Sequence, residues 1–355
     1  MTEELRSDEK REQKRTRRKR RLRIVGAILT AFGIGLFLYF VSSVGVSEIA
    51  ANVERFGFVG FAVILVIYFA RICIRATAWK MSVYEPYSLG VKDTIPAVII
   101  GESLSSMIPL GIVVSGTAKA VAVKKHVPLV VGLSSVATEN LFYSITTSIF
   151  LILGAFTFVR TFALDPGWAL TIDLLIVGII AVVAFLVIMI VRQWHFASEI
   201  CERLYRNGYF TGILENGRLQ VRLFENLIYG FYRQFPGRIV PIFLLEFLYH
   251  ALGVLEVFFI LYRITDGAAG ALAAFLLESV SRLITIVFKL IPFLIGVDEA
   301  GARFVSETLA LGAAVGVTLA IIRKGRIVFW AGVGLLLIVK RGISLKKLLS
   351  EPRVS

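Results

Sequence analysis

The residues with the most chemistry in this chain sit where apolar sequence is interrupted. Ile291–Arg303 reads IPFLIGVDEAGAR, between the apolar run Ala268–Leu290 and another that begins near Phe304. Pro292 lacks a backbone donor and its ring clashes with the preceding turn, so a helix stops there. Gly296 and Gly301 admit backbone angles that other residues avoid. Asp298, Glu299 and Arg303 then place charge beside the break. Non-helical backbone at membrane depth persists only where protein covers it or where it lines a wet cavity. The chemistry implied is the binding of a polar group inside a bilayer. A second stretch, Ile108–Lys119, reads IPLGIVVSGTAK and repeats the plan of Ile-Pro, glycines and a basic residue. Glu-Ser-x-Ser segments precede both stretches, Glu102–Ser105 and Glu278–Ser281. Paired broken helices in two halves of a membrane protein point to a transport site.

Other charges lie inside apolar sequence: Glu139, Glu246, Glu256, Arg282, Lys289, Arg323 and Arg326. A charge at the bilayer centre costs about 2.5–3.5 kcal/mol on insertion scales, so each needs a reason. Glu278 and Arg282 are four apart and can pair on one helix face, as can Glu246 and His250. Glu246, His250 and Glu256 read as structural pairs between helices. Arg71 and Arg75, also four apart, read as side chains that snorkel to the headgroups, with contact to a lipid phosphate as the alternative. The half-helices that start after Pro109 and Pro292 add positive potential for an anion. The candidate substrate-binding set is Glu102, Pro109, Lys119, Glu139, Glu278, Arg282, Pro292, Gly296, Asp298, Glu299, Arg303 and Arg323. His126 and His195 read as interfacial. Cys73 and Cys201 are isolated, and no metalloprotease, redox, P-loop or nucleophile-elbow motif occurs. Neither catalysis nor a cofactor nor a metal is expected.

These residues must be positioned by membrane helices. The chain has 355 residues, 57% of them hydrophobic and only 18% charged, with mean hydropathy +0.80. Several runs reach the roughly 20 residues that cross about 30 Å of hydrocarbon. The net charge of +14 owes much to Arg15–Arg23, which reads as a cytoplasmic anchor beside the first span. No cleaved signal peptide is evident, and no nucleic-acid partner is expected.

In order, residues 1–22 read as a disordered basic tail and 23–342 as a transmembrane domain. Half one is 23–160 and half two is 161–342, with a cytoplasmic amphipathic segment at 192–238. Residues 343–355 form a second tail. Ser47–Phe56 reads as a connector, and Asn207-Gly208 and Asn216-Gly217 as turns. Phe304–Val339 reads as one apolar region interrupted by Arg323–Arg326. At about 1.5 Å per residue the arm Ile95–Ile108 reaches about 21 Å, too short to cross. It should enter, turn at Pro109–Gly111 and return.

Charge bias sets the orientation. With the N-terminus inside and a hairpin at each break, the inside receives Arg15–Arg23, Lys80, Lys92 and Lys119–Lys125. It also receives the arginines of 192–238 and Lys340, Arg341, Lys346 and Lys347. The outside receives Glu48, Glu54, Asp165, Asp266, Asp298, Glu299 and Glu307 against Arg55, Arg160, Arg263 and Arg303. The fold expected is an all-α polytopic membrane protein with about six full spans plus two re-entrant helical hairpins in an inverted-repeat arrangement. A rival topology makes Ala268–Lys289 a full crossing. The setting expected is a bacterial or archaeal cell membrane with both termini cytoplasmic.

Ile291–Phe304, IPFLIGVDEAGARF, resembles the Pro-x-Gly-x-Gly-x-x-Glu segment of the lysylphosphatidylglycerol synthase transmembrane-region family of flippase-like proteins. Pro292, Gly296 and Glu299 stand at its matching places. The run Leu309–Arg323 is similar too, and the likeness extends from about Arg23 to Val339. In the first half, Ser115, Gly116, Thr117 and Lys119 stand where the family has Gly-Gly, an acidic residue and Arg. The resemblance implies movement of a lipid or polyprenyl-linked headgroup between leaflets. Members fused to a soluble aminoacyl-transfer domain also make the modified lipid. This chain ends at Ser355 without one, so no synthase activity is expected.

Three functions compete. The first is a lipid transporter whose partners are membrane lipids, anionic or polyprenyl-linked. The second is a non-catalytic membrane partner of a lipid-modifying or glycosyl-transferring enzyme, docked on Arg192–Arg238. The third is a proton-coupled small-solute transporter. A homo-oligomer is compatible with each.

Overall fold

The break residues of the sequence become the joints of a helical protein. A computed structural model describes residues 34–108, 111–162, 165–207, 211–288 and 291–341. Among these residues every regular element is helical, and four helices are long and apolar enough to cross a membrane. The basic N-terminal run, Pro109, Leu110, Gly208, Lys289 and the C-terminal tail lie outside the described residues.

After α1 (Ile34–Val44), two groups of four helices share one order. The first holds α2 (Val46–Met81, 36 residues), α3 (Val91–Met107, 17), α4 (Gly111–Ala122, 12) and α5 (Leu129–Thr161, 33). Between the groups lie α6 (Pro166–Val191), α7 (Phe196–Arg206) and α8 (Thr211–Gln234). The second group holds α9 (Pro236–Ile264, 29), α10 (Ala271–Val287, 17), α11 (Val297–Thr308, 12) and α12 (Ala313–Lys340, 28). Each group runs long, 17, 12, long. At about 1.5 Å per residue the 17-residue helices span about 25 Å and the 12-residue ones about 18 Å, short of the hydrocarbon thickness.

Packing repeats the pattern. The opening helices α2 and α9 pack together, α3 packs on α4, and α10 packs on α11. Each closing helix lies on the other group's 17-residue helix, α12 on α3 and α5 on α10. Small residues permit the close crossings. A Cβ at Gly253 of α9 would stand 2.4 Å from Glu278 Oε1, and one at Gly316 of α12 would stand 2.3 Å from the Ala302 carbonyl oxygen.

Local chemistry sets the ends. Asp165 caps α6 by accepting the Gly167 N–H at 2.9 Å, with Pro166 in the first turn. Gly296 (φ 84°) starts α11, and its N–H donates to Glu299 Oε2 at 2.8 Å.

Three local expectations are corrected. The connector Ser47–Phe56 is helical and joins α2 through a break at Gly57 (φ 69°), because Ile49 and Phe56 are buried, Phe56 against α9. Asn216-Gly217 is not a turn. It lies within α8, whose strong amphipathic pattern outweighs the roughly 1 kcal/mol a helical glycine costs. Phe304–Val339 is two helices, separated by a turn at Ala310 (φ 56°) and Gly312 (φ 87°).

Candidate functional site

A cleft of about 190 Å³ lies between α3 of the first broken pair and both helices of the second. Its walls come from both groups. Tyr68 and Arg75 of α2, Glu102 of α3 and Tyr143 of α5 face Tyr249 of α9, Arg282 of α10 and Asp298 of α11. Arg323, Arg326 and Trp330 of α12 and the turn residues Phe293 and Leu294 complete it. Phe293 and Leu294 adopt φ of 55° and 53°, a region non-glycine residues rarely occupy. This strained turn packs on α3, so the second break is held against the first broken pair.

Two ionic groups flank the cleft, joined by the i, i+4 pair on α2. In the first, Arg75 Nε donates to Glu139 Oε1 at 2.7 Å and Nη2 to Asn140 at 3.1 Å. Arg75 Nη1 stands 3.8 Å from Glu102, which accepts from the Tyr68 hydroxyl at 2.6 Å. Lys119 Nζ stands 3.7 Å from Glu139. In the second, Glu278 takes Arg282 at 2.6 Å and Arg323 at 2.8 Å, with Arg71 3.6 Å away. Glu256 takes Arg71 at 3.2 Å and also Arg326. Ser281 Oγ accepts from Arg323 Nη1 at 2.8 Å and donates to Asp298 at 3.3 Å. Behind Asp298, Lys324 Nζ meets Glu299 at 2.6 Å. Glu139, Glu256, Glu278 and Glu299 are fully buried. These partners supply the compensation that buried charge requires.

Of the residues singled out by sequence, Glu102, Arg282, Asp298 and Arg323 line the cleft. Glu139 and Glu278 stand behind it as partners of its arginines, and Lys119 stands behind it as a second partner of Glu139. Glu299 is a helix cap and lysine partner, and Gly296 and Pro292 belong to the second break. Arg303 is not brought in: it pairs with Glu307 at 3.0 Å and with Ser43 Oγ of α1 at 2.9 Å. Pro109 lies outside the described residues.

Two readings are corrected. Arg71 does not snorkel. It is fully buried, because α9 and α10 bring Glu256 and Glu278 to it, and Arg75 is held by Glu139 of α5 in the same way. Glu246 and His250 do not pair. His250 Nε2 meets Thr147 at 3.0 Å between the rings of Tyr143 and Phe150, while neither Glu246 oxygen has a hydrogen-bond partner among the described residues. Sequence reasoning missed Tyr68, Tyr143, Tyr249 and Trp330, since an aromatic residue within a span carries no local sign that it faces a cavity. It named Arg326 only as a buried charge. The one available signal was numerical: Glu139 and Glu256 have no cation three or four residues away on their own helices and therefore require cations from elsewhere.

A family model described as the lysylphosphatidylglycerol synthase TM region matches residues 23–334. No curated protein and no solved structure matches the chain.

Proposed function

The chain belongs to the lysylphosphatidylglycerol synthase TM-region family, and from that premise we propose that it carries the polar headgroup of a lipid between leaflets. The observation that carries this reading is the cleft itself. It is lined by charged and hydroxyl side chains, lies among apolar helices, and is built where α3 meets the second broken helix pair. Arginine-rich walls at that depth have no structural need of open space. Headgroup passage needs both the space and the charge, while acyl chains remain in the hydrocarbon.

In this reading α3–α4 and α10–α11 are re-entrant hairpins that enter from opposite sides. The shared order of helix lengths, the short 17- and 12-residue arms and the cross-packing of α5 and α12 support it. The odd number of crossings between the groups makes them inverted repeats, and access alternates as one group rocks against the other. No catalytic step is required.

The test is a proteoliposome assay with headgroup-labelled lipid and a membrane-impermeant quencher. Wild-type protein is expected to expose the inner-leaflet label, and an Arg282→Gln/Arg326→Gln variant to do so at least tenfold more slowly. Equal rates for the two proteins would remove the cleft from the pathway.

A further inference from the structure

The charges around the cleft do not cancel. In the second ionic group Arg71, Arg282, Arg323 and Arg326 meet two carboxylates among the described residues, Glu256 and Glu278. Four cations less two anions leave an excess of two. The adjoining Asp298 and Glu299 against Lys324 return one negative charge, which leaves an excess of one. In its ion pairs the first group balances, Arg75 and Lys119 against Glu102 and Glu139, while the nearby Glu246 makes no ion pair among the described residues. Guanidinium does not lose its proton in proteins. Three guanidiniums crowded on the Glu278 carboxylate repel one another at low dielectric. A further anion would relieve them.

The surroundings say which anion. Arg282, Arg323 and Arg326 line the cleft, and their planar forks match phosphate oxygens. Arg71 Nε and Nη2 and Arg326 Nε are buried without hydrogen-bond partners among the described residues. The three tyrosine rings an ammonium group would use already carry a guanidinium. Arg326 covers the Tyr68 ring at 4.1 Å, Arg75 covers Tyr143 at 4.2 Å, and Arg71 covers Tyr249 at 4.3 Å. Of the cleft's carboxylates, Glu102 is engaged by Tyr68 and Arg75, and Asp298 by Ser281 and Lys324.

We propose that the cleft selects a net-anionic phosphate headgroup, bound by Arg282, Arg323 and Arg326, and rejects headgroups that carry an ammonium. The inference rests on the transport reading only for the route by which a lipid arrives.

The experiment titrates the purified full chain in detergent, with cleft tryptophan fluorescence from Trp330 and thermal shift as readouts. The probes are short-chain phosphatidic acid, phosphatidylglycerol, phosphatidylcholine and lysylphosphatidylglycerol of equal chain length. The two anionic lipids are expected to bind at least tenfold tighter than the other two. Arg282→Gln should lose that preference. It should also melt no lower than wild type without ligand, because Glu278 keeps Arg71 and Arg323. Arg326→Gln, which leaves Glu256 with Arg71, is the second variant. Displacement by inorganic phosphate would assign recognition to the phosphate alone. Failure to displace would assign it to the intact lipid, and both uphold the anion site. Equal or tighter binding of the ammonium lipids, or unchanged preference in both variants, overturns it. Because binding is read without transport, anion-selective binding with no lipid movement would sink the transport reading and leave the site standing.

Discussion

The two broken helix pairs share a plan and differ in charge. Around α3–α4, two cations meet two carboxylates and the set closes on itself. Around α10, one carboxylate, Glu278, carries three arginines drawn from α2, α10 and α12. The breaks differ too, since the second includes two non-glycine residues at positive φ and a glycine cap. A self-neutralised set holds helices together and asks for nothing more. A cation-rich set beside an open cleft is unfinished until something negative enters. The comparison teaches that a repeated backbone does not imply repeated chemistry, and the proposed anion site falls on the cation-rich set.

Substitutions can break or sharpen this contrast. The largest effect is expected from Glu278→Ala, which leaves three buried arginines around one vacancy. Breaking a buried pair costs about 3–5 kcal/mol, so this variant should fail to accumulate folded or melt far below wild type in detergent. Glu139→Ala is expected to cost less, about 3 kcal/mol, because Arg75 keeps Asn140 and the nearby Glu102. Equal melting losses for the two would erase the asymmetry. Gly253→Ala should cost about 1–3 kcal/mol by overpacking, since its Cβ would meet Glu278 Oε1 at 2.4 Å and Arg71 Nη2 at 3.2 Å. It should also slow lipid movement, which labelled-lipid assays would read. Gly296→Ala places a side chain at φ 84° and should cost about 1–2 kcal/mol; unfolding curves would show it. Arg303→Ala should be nearly silent, within about 1 kcal/mol, because its partner Glu307 is exposed. Transport at the wild-type rate would confirm that Arg303 stands outside the cleft.

Much of the scaffold was legible. Pro292 and Gly296 mark the second break in the sequence and in the structure, because backbone restriction is a local property. Ser47–Phe56 was read as a connector and turned out to be helix, since only burial of Phe56 against α9 decides that. Glu102, Arg282, Asp298 and Arg323 were found because charge in apolar sequence is conspicuous. Arg303 was included by proximity along the chain, and the turn of α11 carries it to α1 instead.

The sequence by itself determined that this is an integral membrane protein, where its proline-marked second break lies, and which charges must be compensated. Hydropathy, proline and glycine act over a few residues, so no tertiary contact is needed to read them. Only the tertiary structure decided who compensates whom. Arg75 and Glu139 are 64 residues apart, and Arg71 and Glu256 are 185 apart. Coulomb energy depends on distance through space, and helix packing sets that distance.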